Sequence, residues 1–98
     1  MKIYSDDRLT DEIVQILDLG IVQAGDTKEY TYYVYNDTNA ELIDIAFSID
    51  NAEVEILEFP TKLQSKEKGA LRIKYSPSVN IKKGLRTSLK TKGVEIYS

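Results

Sequence analysis

The side chains of this sequence that could carry chemistry are carboxylates, hydroxyls, tyrosines and cations. Two close acid pairs stand out, Asp6-Asp7 and Glu53-x-Glu55. Paired carboxylates do acid–base work when their surroundings push their pKa values apart. The first pair sits in polar sequence with the features of a loop or arm. The second alternates along a strand, on its outer side. Both read as solvated surface acids. Serines are present, but the chain has no histidine to activate them, and histidine is the commonest general base and metal ligand. No Gly-x-Ser-x-Gly elbow occurs. Cysteine is absent as well, which rules out disulfides and the usual zinc sites. No glycine-rich phosphate loop is present. The oxygens of Asn36-Asp37-Thr38-Asn39 lack the acid spacing and closing Glu of a calcium loop, so this is read as an Asx turn. The expectation is a non-enzyme with no catalytic residue, cofactor, metal or small-molecule substrate.

What remains is contact chemistry, and it is unevenly distributed. Residues 1–59 hold three Lys/Arg against fourteen Asp/Glu, a net of −11, whereas residues 60–98 hold ten against two, a net of +8. Two readings are open. Acidic and basic strands lying side by side would neutralise each other across a sheet. Alternatively, the chain has an acidic face and a basic face that dock on copies of itself or on a charged surface. Nucleic acid is a poor fit, because the whole chain is acidic at −3 and its acidic half would repel phosphate. The second feature is Tyr30-Thr31-Tyr32-Tyr33-Val34-Tyr35. A period-2 strand puts Tyr30, Tyr32 and Val34 on one side and Tyr33 and Tyr35 on the other. The inner set fills a core. The outer pair is either covered by neighbouring lysine stems or used as a contact surface.

The elements that position these residues are strands. The 98 residues suffice for one domain, and no apolar run is long enough to span a membrane. Met1–Glu12 reads as an N-terminal arm or edge strand, with Lys2-Ile3-Tyr4 its extended part and no hydrophobic signal core for secretion. Residues 13–98 read as a single sandwich domain. Ile13–Val22 is a strand apolar on both faces, expected to be covered on both sides or to change sheets near Gly20. Ala24-Gly25-Asp26 turns, and Lys28–Asn36 is the tyrosine strand. Glu41–Asp50 alternates most cleanly, with Ile43, Ile45, Phe47 and Ile49 on one side. Glu53–Phe59 changes phase midway, which predicts a bulge or a crossing between sheets. Pro60 ends it. Ala70–Ser76 points Leu71, Ile73 and Tyr75 inward and Arg72 and Lys74 outward. Val79 and Ile81 anchor a connection. Leu85–Lys92 points Leu85, Thr87 and Leu89 inward and Arg86, Ser88 and Lys90 outward. Gly93 bends the chain, and Val94–Tyr97 continues that strand or adds another.

No segment holds a helical period long enough for a stable helix. Strands recurring every ten residues or so, with turn residues between, predict an all-β sandwich. The ordered landmarks Leu17-Asp18-Leu19-Gly20-Ile21 to Gly25, Tyr32 to Asn36, Leu42-Ile43, Leu63 to Gly69 and Leu71 to Pro77, with Gly84 before the last strand, resemble the immunoglobulin-like domains of major sperm protein, ciliary ASH domains and related bacterial and phage modules. The resemblance spans residues 13–92. Leu19 stands where those domains carry Phe, a tolerable core exchange. Ser65-Lys66-Glu67 stands where they carry Pro-Gly-Glu. It implies an immunoglobulin-like antiparallel β-sandwich of about seven or eight strands and brings no catalytic residue.

Two functions fit that frame. One is a structural subunit, an accessory or connector protein on a large assembly such as a bacteriophage virion, with protein partners that include copies of itself or a capsid or tail shell. The other is a soluble cytoplasmic adaptor for an extended or acidic peptide, bound at a sheet edge or basic face. The residues expected to make contact in the first are Tyr33 and Tyr35 on the outer face and Arg72, Lys74, Arg86 and Lys90 on the basic strands.

Overall fold

The burial pattern of the tyrosine strand sets the architecture. In a computed structural model describing residues 1–79 and 83–97, Tyr32 and Val34 are buried, Tyr30 is half-buried on the same side, and Tyr33 and Tyr35 face out. The described residues form eight strands: β1 (Lys2–Tyr4), β2 (Glu12–Ile13), β3 (Ile16–Gly20), β4 (Lys28–Tyr35), β5 (Glu41–Ile49), β6 (Val54–Glu58), β7 (Lys68–Tyr75) and β8 (Leu85–Ile96). All pairings are antiparallel. One sheet has the order β2-β1-β4-β7-β6 and the other β3-β8-β5. The two pack as a sandwich. Leu17 and Leu19 of β3, Val34 of β4, Leu71 and Ile73 of β7 and Leu89 of β8 form its core. Each buried Leu or Ile contributes on the order of 2 kcal/mol of hydrophobic stabilisation.

Local sequence explains most of the pairing. β4 and β7 run opposite each other from Lys28↔Tyr75 to Tyr35↔Lys68 without a slip. Their inward sets, Tyr30-Tyr32-Val34 and Leu71-Ile73-Tyr75, coincide. A one-residue slip would turn all six outward, so the register is strongly fixed. The expected phase change in β6 is a register shift between Ile56 and Glu58.

Three expectations are corrected. The change of sheet along Ile13–Val22 occurs at Val14-Gln15, not near Gly20. Ile13 pairs with Ile3 in the five-stranded sheet, and Ile16 pairs with Ser88 in the other. Gln15 turns the corner at φ 65°. Gly20 (φ 70°) marks only a shift of register against β8. Nor is β5 a clean alternation. Asp44 adopts φ 51° and forms a bulge, so Leu42 and Ile45 are both buried while Ile43 is not. The Ile45 amide leaves the ladder and donates to Thr61 O at 3.0 Å. A bulge inserts one residue and reverses the parity beyond it. Finally, Val79 is 62% exposed and so is not a core anchor; Ile81 lies outside the described residues. Of the two readings of Val94–Tyr97, continuation holds, since the last strand runs through Gly93 to Ile96.

One glycine is fixed by contact. A Cβ on Gly69 would lie 2.9 Å from the Pro60 Cβ and 3.3 Å from a Leu63 methyl. The proline ring cannot rotate away. Gly69→Ala is therefore expected to cost about 1–2 kcal/mol as overpacking, read as a lower urea midpoint at unchanged slope. A variant as stable as the parent would show that the Pro60 turn yields.

Candidate interaction surfaces

The outer face of the five-stranded sheet carries four of the six expected contact residues. Its rows follow from the register. Glu12, Tyr4, Tyr33 and Ala70 form one row, and Lys2, Tyr35 and Lys68 the next. Thr31, Arg72 and Glu58 form a third, and Glu29, Lys74 and Glu55 a fourth. The tyrosines are half-buried, and the Lys68 ammonium lies 5.8 Å from the centre of the Tyr33 ring. Arg72 donates to Glu29 at 2.8 Å and to Glu58 at 3.4 Å, and Lys74 lies 3.3 Å from Glu55. On this face, then, acidic β4 and β6 flank basic β7 and pair with it. Such exposed pairs add little stability, about 0–1 kcal/mol each. Their effect is to occupy the charges of Arg72 and Lys74.

Arg86 and Lys90 sit elsewhere. Both lie on the outer face of the three-stranded sheet, opposite Asp18 and Ser48 respectively, and both are exposed. The structure therefore divides the six residues between opposite faces of the sandwich. Tyr33, Tyr35, Arg72 and Lys74 form one group, and Arg86 and Lys90 belong to the other.

The sheets are tied by polar contacts that composition alone does not reveal. The Tyr30 hydroxyl donates across the sandwich to the Leu19 carbonyl. Burial raises the Tyr30 pKa, with smaller contributions from Tyr75 and Asp18. Burial likewise pushes Tyr32 up to about 12, with smaller contributions from Tyr30 and Asp18. Asn36, wholly buried, stands at the end of β4. Its Nδ2 donates to the carbonyls of Ala40 (2.7 Å), Leu63 (3.1 Å) and Gln64 (3.0 Å). Its Oδ1 accepts from the Thr38 amide and hydroxyl. The residue reads as a turn former in sequence. In the fold it joins the β4–β5 turn to the 63–67 loop.

The feature that sequence reasoning missed is an open sheet edge. β8 is the middle strand of its sheet only over its first part. β3 pairs with Leu85–Ser88, and the Leu89 amide still donates to Gln15 O. Past that point the chain has crossed to the other sheet at Val14-Gln15. Among the described residues, Lys90–Ile96 then pair with β5 alone. Exposed apolar side chains stand at the two ends of this free edge: Val14 (74%) and Ile16 (43%) where β3 departs, and Val94 (48%), Ile96 (44%) and Tyr97 (67%) at the far end. A hollow of about 520 Å³, lined by Val14, Ile16, Leu89 and Thr91 among others, opens where β3 departs. The sequence signal was available in part, since Gly93-Val94-Glu95-Ile96 continues the alternation of the preceding strand. What it could not give was where β3 stops covering β8.

Among the described residues no group of three or more metal-ligating side chains is placed to hold an ion, and no helix is long and apolar enough to cross a membrane. Comparison with family models, with curated proteins and with solved structures finds no match.

Proposed function

We propose that this chain is a non-catalytic packing subunit, a small β-sandwich that adds to a larger protein assembly through its surfaces. The observation that carries this reading is the free edge of β8, an unpaired stretch with exposed Val14 and Ile16 at one end and exposed Val94 and Ile96 at the other. Monomeric soluble proteins keep contiguous exposed apolar surface small, and patches beside an open edge mark interaction sites. The 50 Å long axis of the molecule suits a brick or spacer. A virion shell or tail is the setting in which small sandwiches of the resembled kind serve as accessory subunits, and a phage particle is the assembly to examine first. This setting rests on likeness of fold.

The test is a density gradient of native lysate with the protein quantified in each fraction. Co-migration with particles of megadalton size, at a fixed ratio to their major protein, is the expected result. Recovery wholly among small soluble proteins would overturn the reading. The basic outer face with Lys90 and Lys92 would then direct the search to an adaptor for acidic extended peptides.

A further inference from the structure

We infer that the free edge of β8 pairs with the same edge of a second copy, antiparallel and centred on Gly93. This inference deepens the packing reading by naming its surface and occupant, and rests on it only in taking another copy of the chain as that occupant. Alternate residues of a strand send their backbone groups to opposite edges. The Leu89 amide points toward β3, so Thr91, Gly93 and Glu95 point the same way, to the open side. The open stretch is Lys90–Ile96, and its midpoint is Gly93. A two-fold axis through Gly93 therefore uses the whole edge and leaves no overhang. It supplies about six new backbone hydrogen bonds. The contact is isologous, the symmetry of most protein dimers.

Side-chain chemistry and strand length together favour this register. Antiparallel pairing about Gly93 sets Lys90 opposite Ile96 of the second copy, Lys92 opposite Val94 and Thr91 opposite Glu95. No lysine meets a lysine. On the outer face each lysine stem covers an apolar side chain now 44–48% exposed, while its ammonium stays in water. A slip of two residues one way would put Lys90 opposite Val94 and Lys92 opposite Lys92 of the second copy, a like-charge pair that is unfavourable; the opposite slip would leave Lys90 and Thr91 of each copy beyond the partner strand's end at Ile96. Beyond Ile96, Tyr97 of the second copy arrives on the inner side, sharing it with Glu95, to whose carboxylate its hydroxyl donates. It there meets a hollow of about 190 Å³ lined in part by Ile13, Val14, Leu89 and Thr91, and covers the 74%-exposed Val14. By symmetry this happens at both ends.

The test is sedimentation equilibrium of the full chain from about 1 to about 500 μM, the range in which a strand-pair contact of modest area is populated. A dimer of twice the 11.1 kDa chain mass is expected. Gly93→Pro removes a backbone donor on the open side only, because the amide of Gly93 faces away from β5. It should raise the dissociation constant about a hundredfold while circular dichroism keeps the strand signal. Val94→Lys places a lysine opposite Lys92 of the second copy and should weaken the dimer about tenfold, whereas Val94→Glu should strengthen it by a similar factor. The Val94 pair reads the register even where Gly93→Pro disturbs the fold. A chain that stays monomeric at the highest concentration overturns the proposal, and so does a dimer equally strong in Val94→Lys and Val94→Glu. A monomer that instead captures an acidic extended peptide assigns the edge to a foreign strand and overturns it too. The result is separable from the gradient above. A dimer absent from particles sinks the subunit reading alone, and particles that retain the Gly93→Pro chain at full occupancy sink the edge pairing alone.

Discussion

Asn36→Asp is expected to destabilise the fold by about 3–5 kcal/mol at neutral pH, enough to unfold much of a domain whose whole stability is of order 5–15 kcal/mol. The amide Nδ2 of Asn36 gives its protons to three carbonyl oxygens at 2.7–3.1 Å. Aspartate has the same shape and replaces that donor with an anionic oxygen facing the same three acceptors. The charge is buried and repelled by the three carbonyls, which outweigh the two hydrogen bonds that the Thr38 amide and hydroxyl donate to its other oxygen. Its pKa in the folded state must therefore lie above its unfolded value of about 3.9. The stability of this variant is then greatest below pH 4, where the carboxyl is protonated in both states, and falls as pH rises through the folded pKa. Asn36→Ala leaves the carbonyls unpaired without adding charge, so its smaller loss of about 2–3 kcal/mol should not follow this titration. Urea melts of both variants at pH 4 and pH 7 separate the cases. If Asp and Ala lose the same stability at both pH values, the amide is not the hub of this turn.

A second large effect is expected in alkali. Burial holds the Tyr32 hydroxyl protonated up to about pH 12 in the folded chain, while in the unfolded chain it ionises near pH 10. A raised acid pKa means that stability is complete below about pH 10 and is lost as pH climbs toward 12, because only the unfolded state releases the proton cheaply. A shift of that size corresponds to roughly 3 kcal/mol. Tyr30 is raised by the same cause and adds in the same direction. Lysines also titrate in this range, so the readout is a difference. Urea midpoints of the parent and of Tyr32→Phe are measured from pH 9 to pH 12. The parent should lose more than the variant over the last two units. Parallel curves would show that the ring hydroxyl reaches solvent.

Much of the sandwich was legible because its central pairs are regular. In β4 and β7 the parity of Tyr30, Tyr32, Val34, Leu71, Ile73 and Tyr75 gives the buried set directly, and the register follows from matching the two sets. Period-2 reading fails wherever a non-glycine residue takes positive φ, since neither Gln15 nor Asp44 announces this by type. That is why the sheet crossing was displaced toward Gly20 and why the bulge in β5 was hidden behind an even alternation. The candidate surface suffered for a different reason. Arg72 and Arg86 look alike along the chain, but one is held between two glutamates and the other is exposed on the opposite sheet. Which cations are occupied depends on strand order, and strand order is a long-range property. The free edge of β8 exists because β3 stops covering it at Ile16↔Ser88, a fact of two segments more than seventy residues apart.

That separation also orders events in time. In the three-stranded sheet β3 and β5 are joined only through β8, which the ribosome delivers after both. At about 5–20 residues per second, β3 waits several seconds for its only pairing strand, while β1, β4, β6 and β7 can already pair among themselves. One half of the sandwich is thus a template present early, and the other is a closure performed last, by a single segment. During that interval Leu17 and Leu19 have no sheet of their own to hold them against the core. The chain's exposure to misassociation is concentrated in the lag before β8 arrives.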